Sequence, residues 1–349
     1  MPKKSLTIIS VLALISILAL VVLFGAMYYT AHLAEVADTP TADTQENEVR
    51  QVPTSSLPTQ EPAPARDPSK PDLTFDSNGI PMWLDTNYNG SENYYYHPVG
   101  AAEYALEQYE QYQEQGDKKL LANAINVADW FVETQDTSTG EWHYPFDFSV
   151  GGTNITLKAG WSSAMAQGEA ISLLAKAYTE TKDKKYLDAA EFALAPLKVD
   201  VKDGGLARDF MGKGYRWYDF MGKGYRWYEE YPTDPPNYTL NGFMATLLGL
   251  RDLIDVSADS AATKLYEDGI ETLVYALPYF DAETISYYHV HYLLDNTQEP
   301  FISPRYHLRH IQQIDQLNKT EKDSTLQYYH DLWQKYVDDN PEKYKDVHL

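Results

Sequence analysis

The feature that most constrains the fold is a change of hydrophobic period at Pro98. Residues 75–96 are rich in Gly, Asn and Tyr and read as irregular or strand-like. From Pro98, a first-turn position, Ala101, Ala105, Tyr109 and Tyr112 recur at helical spacing. A second helix is predicted at about 117–134, through Leu120, Leu121, Ile125, Ala128 and Phe131, and the joint between the two is GDKK (116–119). The signal returns 66 residues later as KDKK (182–185), between helices predicted at about 162–180 and 184–195. An Asp at such a joint caps the next helix. Further helices are predicted at 239–255, 260–277, 306–318 and 323–337. The expected fold is therefore mainly α: an α/α barrel or partial toroid of about eight antiparallel helices. Inserted β-hairpins are expected, one of them at 140–160. The unit DFMGKGYRWY occurs twice in tandem, at 209–218 and 219–228. Ten residues is an even insertion, so an elongated hairpin keeping its inside/outside phase is predicted there.

Ahead of this domain, residues 6–29 carry no charge. Twenty-four residues at ~1.5 Å each reach ~36 Å, enough to cross a ~30 Å hydrocarbon layer. The run is longer than the apolar core of a cleaved signal. Lys3 and Lys4 precede it and acidic residues follow, which places the N-terminus in the cytoplasm. Residues 38–72 hold seven Pro and almost no large apolar residue, the composition of a solvated tether. The expected organisation is a cytoplasmic stub and transmembrane signal anchor at 1–30, a disordered Pro-rich linker at 31–72, and a folded extracytoplasmic domain at 73–349. Sequons at Asn89, Asn154, Asn237 and Asn318 are compatible with export.

Composition limits the chemistry. Lys+Arg 28 against Asp+Glu 51 gives a net charge of −23, which argues against a nucleic-acid backbone or an anionic lipid surface as the main partner. The absence of Cys rules out disulfides, a thiolate nucleophile and thiolate zinc sites. The 29 Tyr and 7 Trp suit sugar contacts, and equally an aromatic core. There is no G-x-S-x-G elbow, P-loop or dinucleotide fingerprint, so nucleophilic serine and nucleotide chemistry have no support.

Three segments carry groups able to do chemistry. In WYEEYPTDPPNYTLNGF (227–243), Glu229, Glu230 and Tyr231 enter a Pro-rich turn and Asn241 follows just inside a helix. A Glu beside a Tyr supplies a base and a hydroxyl acid, although the same residue types also make an exposed loop. In SYYHVHYLLD (286–295) stand Tyr287, Tyr288, His289 and His291. In SPRYHLRHIQQIDQL (303–317) stand Arg305, Tyr306, His307, Arg309 and His310. Five of nine His fall at 289–330, yet their spacings match no zinc signature, and orienting or sugar-binding roles fit better. Arg305 and Arg309 lie one helical turn apart and suit an anionic substrate, or simply balance an acidic surface.

AGWSSAMAQGEAISLLAKAYTETKD (159–183) and WYEEYPTDPPNYTLNGFMATLLGLRDL (227–253) resemble the C-terminal region of the glucuronyl C5-epimerase family. The likeness extends to YYHPVGAAEYAL (95–106), GEWHYPFDF (140–148) and RYHLRHIQQIDQL (305–317), and covers most of 94–337. Such enzymes convert D-glucuronate to L-iduronate within heparosan or heparan chains. The chain lacks the β-rich region of animal members and resembles a minimal form. The resemblance implies Glu230, Tyr231, Tyr287 and Tyr306 as catalytic, with Tyr288 replacing Tyr287 if the gap moves. It implies Asn241, Arg305, His310, Tyr288, Gln167 and Trp161 as substrate contacts. The family's Arg in the IYDLRH segment falls on Val290, and Arg305 or Arg309 is the expected substitute.

Inversion at carbon 5 of a uronate removes a weakly acidic proton and returns one to the opposite face, so two groups must flank the ring. The carboxylate accumulates charge and needs donors beside it. Glu230 and Tyr231 are expected on one face and Tyr306 with Tyr287 on the other. A tyrosine acting as base would need its pKa lowered from ~10 by a cation. Lys213, Arg216, Lys223 and Arg226 of the duplicated unit are expected to add a basic groove. No cofactor or metal is called for. The expected partners are an anionic uronate polysaccharide and, through the N-terminal helix, a membrane; a homodimer is compatible. The alternatives are an inactive uronan-binding relic, and a lyase expelling the group at carbon 4 from the same carbanion.

Overall fold

A computed structural model describes residues 73–85, 93–151, 153–211, 225–294 and 300–347. The expected anchor, the linker and Asn89 lie outside the described residues, as does the middle of the duplicated unit. Among the described residues no helix is long and apolar enough to cross a membrane.

A meander opens the domain: β1 (Leu73–Phe75), β2 (Pro81–Asp85) and β3 (Asn93–Tyr95), paired antiparallel with Leu73 opposite Trp83 and Trp83 opposite Tyr95. Eight α-helices follow among the described residues: α1 (Pro98–Gln115), α2 (Lys118–Thr134), α3 (Ala164–Thr181), α4 (Lys184–Phe192), α5 (Leu240–Ser257), α6 (Ser260–Ala276), α7 (Pro304–Glu321) and α8 (Ser324–Asp339). Short hairpins interrupt them. Strands β4 (Phe148–Ser149) and β5 (Thr156–Leu157) pair between α2 and α3, and β6 (Ala207–Asp209) and β7 (Arg226–Tyr228) pair between α4 and α5. All eight predicted helices are present, and the base of the duplicated hairpin is paired as expected.

The helices form four hairpins with one kind of joint. Each first helix ends in a left-handed residue: Gly116 (φ 71), Lys182 (φ 58), Ala258 (φ 53) or Lys322 (φ 52). An Asp follows, and its carboxylate accepts a backbone N–H of the next helix: Asp117 from Lys119, Asp183 from Lys185, Asp259 from Ala262, Asp323 from Thr325 and Leu326. The left-handed residue satisfies carbonyls of the ending helix and the Asp satisfies donors of the starting one. GDKK and KDKK are two of four such joints.

The odd-numbered helices form an inner layer, with α1 packed on α3, α3 on α5 and α5 on α7. Each even-numbered helix packs outside its hairpin partner. The central pair approaches most closely: a Cβ on Gly249 would strike the backbone of Gly168. α3 and α5 are therefore buried along most of their length. The two ends of the arc are tied by an ion pair from Arg309 of α7 to Glu103 of α1, 3.0 Å long.

Candidate active site

A cleft of about 260 Å³ opens where the inner helices begin. Its wall includes His97, Val99 and Glu103 from the start of α1, Ser163 and Met165 from α3, Asn241 from α5, and Arg305, Tyr306 and Arg309 from α7. Four helix N-termini thus face one space. The partial positive charge of each terminus stands beside the Arg305 and Arg309 guanidiniums, and the Glu103 and Glu230 carboxyls share the same wall.

The preceding loops supply the remaining wall. β1–β3 rests on the start of α1 because residue 100 is Gly; a Cβ there would come 2.9 Å from the Trp83 ring. His97 caps α1, its Nδ1 accepting the Gly100 N–H at 3.0 Å. The β4–β5 hairpin brings Phe148 over the cleft. Tyr144, Trp161, Phe148 and Tyr231 form a continuous stack with centroid separations of 3.8, 5.5 and 5.3 Å. Trp161 lines the cleft, 5% exposed, with the Tyr144 ring stacked on it at 3.8 Å.

Glu229 and Glu230 diverge where the chain leaves β7. Glu229 turns inward, pairing with Arg208 at 3.0 Å and accepting the Tyr238 N–H at 3.1 Å. Glu230 turns to the cleft and lies against Gly242, where only glycine leaves room for its carboxyl. The Glu230 carboxyl accepts a hydrogen bond from the Tyr288 hydroxyl at 3.4 Å, and that hydroxyl shares a 3.3 Å bond with the Tyr231 hydroxyl. The Tyr306 ring lies 4.2 Å from that of Tyr288. Burial is the main influence on all four groups. It pushes the Glu230 carboxyl up from 4.5 to about 7, and raises Tyr231, Tyr288 and Tyr306 above the ordinary phenol range. The phenols therefore hold their protons and Glu230 is poised near neutrality. The condition for a tyrosine base, a pKa lowered by a nearby cation, is not met by these three phenols.

Several other expected contacts lie elsewhere. Tyr287 is bridged to Ile302 and the chain bends at Tyr288, and the two tyrosines make different contacts. Tyr288 is in the site, while Tyr287 packs on Tyr292 at 4.9 Å. His310 is fully buried behind α7, with Nδ1 2.7 Å from the Ser286 hydroxyl; His307 Nδ1 lies 2.8 Å from the same oxygen. The two histidines fasten the 286–290 segment to α7 and do not line the cleft. Gln167 is also internal: it accepts from the Trp142 N–H and donates to the carbonyls of Gly140 and Ala193. His291 bonds the Pro236 carbonyl at 2.8 Å. Among the described residues no group of three or more His, Asp or Glu is arranged to hold a metal. Val290 belongs to the core and is fully buried, whereas Arg305 and Arg309 both reach the cleft. Arg226 lies 3.8 Å from both Asp200 and Asp209, away from the cleft wall, and Lys213, Arg216 and Lys223 fall outside the described residues. Asn237 is fully buried with the Thr239 hydroxyl on its Oδ1, so that sequon is closed to modification in the folded state.

Sequence reasoning did not single out Glu103, Tyr144, Ser163 or Met165. His97, Tyr144 and Phe148 lie inside motifs that signalled the site, but motif membership does not say which side chains face inward.

The family described as the D-glucuronyl C5-epimerase C-terminus matches residues 135–335. The D-glucuronyl C5-epimerase of Caenorhabditis elegans is 34% identical over 223 residues, 60% of this chain and 34% of that protein. An uncharacterized protein of Methanocaldococcus jannaschii is 28% identical over 224 residues, 61% of this chain and 66% of that one. This chain thus spans about a third of the length of the nematode enzyme. Among solved structures, an unsaturated glucuronyl hydrolase from Streptococcus agalactiae aligns with TM-score 0.44 and 17% identity, over 68% of this chain and 57% of that one. An α-mannanase from Bacteroides thetaiotaomicron aligns with TM-score 0.44 and 12% identity, over 71% and 62%. With the family match spanning more than half of its residues, the chain belongs to the D-glucuronyl C5-epimerase C-terminal family.

Proposed function

We propose that this chain inverts carbon 5 of glucuronate units in an anionic polysaccharide, giving L-iduronate. The observation that carries the reading is Glu230, a buried carboxyl raised to about 7, hydrogen-bonded to a phenol and facing a cleft that also holds Arg305 and Arg309. Glu230 takes the carbon 5 proton. The electron pair moves into the adjacent carboxylate, where Arg305, Arg309 and the converging helix N-termini stabilise the enolate. Tyr306 returns a proton to the opposite face, with Tyr231 on the Glu230 side. The Glu230–Tyr288–Tyr231 hydrogen bonds, with Tyr288 packed on Tyr306, offer a route by which the proton on Glu230 resets the spent phenol. These bonds are long, as catalytic contacts often are before substrate binds.

In the same reading the arc of hairpins is a partial α/α toroid with its open end used for the polymer. Residues 6–29 tether it to a membrane with the catalytic domain outside the cytoplasm. The test is incubation of the full chain with heparosan and other glucuronate polymers, followed by nuclear magnetic resonance of the product. Iduronate signals support epimerisation. An unsaturated, ultraviolet-absorbing product would indicate a lyase, and binding with neither product would indicate a non-catalytic relic.

A further inference from the structure

The cleft holds two arginines in different situations. Arg305 is exposed and forms no ion pair among the described residues. Arg309 donates from Nη2 to Glu103 Oε1 at 3.0 Å, and both groups line the cleft. The pair is accessible: the side chains are 27% and 40% exposed, so an incoming group can reach either. It spans the opening from α7 to α1, across 206 positions of sequence. Glu169 lies nearby on α3, one turn beyond Met165, but burial holds its pKa well above the ordinary range, so it keeps its proton and does not compete for Arg309. Glu103 is therefore the carboxylate that Arg309 binds.

We propose that Glu103 is a positioning stand-in for the substrate carboxylate, which holds Arg309 in position and yields it when a uronate carboxylate enters. The inference rests on the uronate reading above. Exchange of one carboxylate for another keeps the guanidinium paired throughout, so it costs little. A neutral sugar hydroxyl cannot make that exchange, because it would leave an ion pair broken without a replacement charge. A uronate that failed to displace Glu103 would meet its charge at close range. The device therefore holds Arg309 at one orientation beforehand, while lowering affinity for the correct ligand.

The magnitude follows from the exposure of the pair. Partly exposed ion pairs contribute up to ~1 kcal/mol, which corresponds to about fivefold in a binding constant. The test is calorimetric titration of the full chain in detergent with a heparosan oligosaccharide and with its carboxyl-reduced form. Glu103→Gln should bind the carboxylate form about fivefold more tightly and the reduced form no differently. In an Arg309→Gln background, Glu103→Gln should keep only the part of the gain that comes from lost repulsion, clearly under fivefold, which separates release of Arg309 from that repulsion. Glu103→Asp, with a shorter reach, should show a smaller gain of the same sign, and serves if the Gln variant fails to fold. Unchanged or weaker binding by a folded Glu103→Gln, while the wild type binds, would overturn the proposal. So would a gain that persists at its full size without Arg309. If the wild type does not prefer the carboxylate form, the uronate reading itself fails and the stand-in role goes with it.

Discussion

Glu230 should make the protein less stable as pH rises, and Glu230→Gln should remove that cost. In the folded chain its carboxyl titrates at about 7 against an ordinary 4.5, chiefly because burial disfavours the charged form. Below pH 4.5 both folded and unfolded states hold the proton, and the group contributes nothing to pH dependence. Between 4.5 and 7 the unfolded chain releases its proton while the folded chain keeps it, so stability falls. Above 7 the cost is complete. The difference of about 2.5, at ~1.36 kcal/mol each, amounts to about 3 kcal/mol. That is a sizeable part of the ~5–15 kcal/mol typical of a domain. Gln fits the same space and still accepts from Tyr288, but cannot ionise. Urea unfolding of wild type and variant, followed by tryptophan fluorescence, isolates the effect because all other titrating groups are common to both. The advantage of Glu230→Gln should grow by about 2.5 kcal/mol between pH 5 and pH 8. An advantage that does not change with pH, or that shrinks as pH rises, would refute the assignment of a raised pKa to this carboxyl.

Three further variants probe the supports of the site. Gly242→Ala places a Cβ on the Glu230 carboxyl, and it should lower turnover by about 100-fold through displacement of that group while the circular-dichroism spectrum stays helical. Ser286→Ala removes the hydroxyl shared by His307 and His310; it should cost about 1–3 kcal/mol in unfolding experiments, because two buried imidazoles lose a partner. Gln167→Ala breaks three internal hydrogen bonds and should cost about 2–4 kcal/mol, with uronan affinity measured by calorimetry unchanged, since its amide does not reach the cleft.

Period and capping made the helices legible. Each inner helix carries apolar residues at helical spacing, and the two joints with repeated Lys after Asp announced themselves. The joints at Ala258–Asp259 and Lys322–Asp323 have the same physics, but without the repeated Lys they left no obvious string. The site was legible at the level of motifs and less so at the level of side-chain direction. Glu229 and Glu230 are chemically equal in sequence, and only the direction of the chain after β7 sends one to Arg208 and the other to the cleft. Tyr287 and Tyr288 are likewise equal in sequence and make different contacts in the fold. Gln167 and His310 sit in site-bearing motifs yet hold the frame, because the sites need rigid backing as much as contacts. Glu103 was invisible for another reason: its meaning comes from Arg309, two hundred residues away, and no local pattern links them.

The most direct test of the central claim, that Glu230 is the base for carbon 5, is proton exchange in deuterated water. Wild-type chain and Glu230→Gln would each be incubated with a glucuronate polymer and deuterium at carbon 5 measured. Steady incorporation by the wild type is expected, with a loss of at least about 100-fold in the variant and polymer binding retained. Incorporation at the wild-type rate by Glu230→Gln would contradict it.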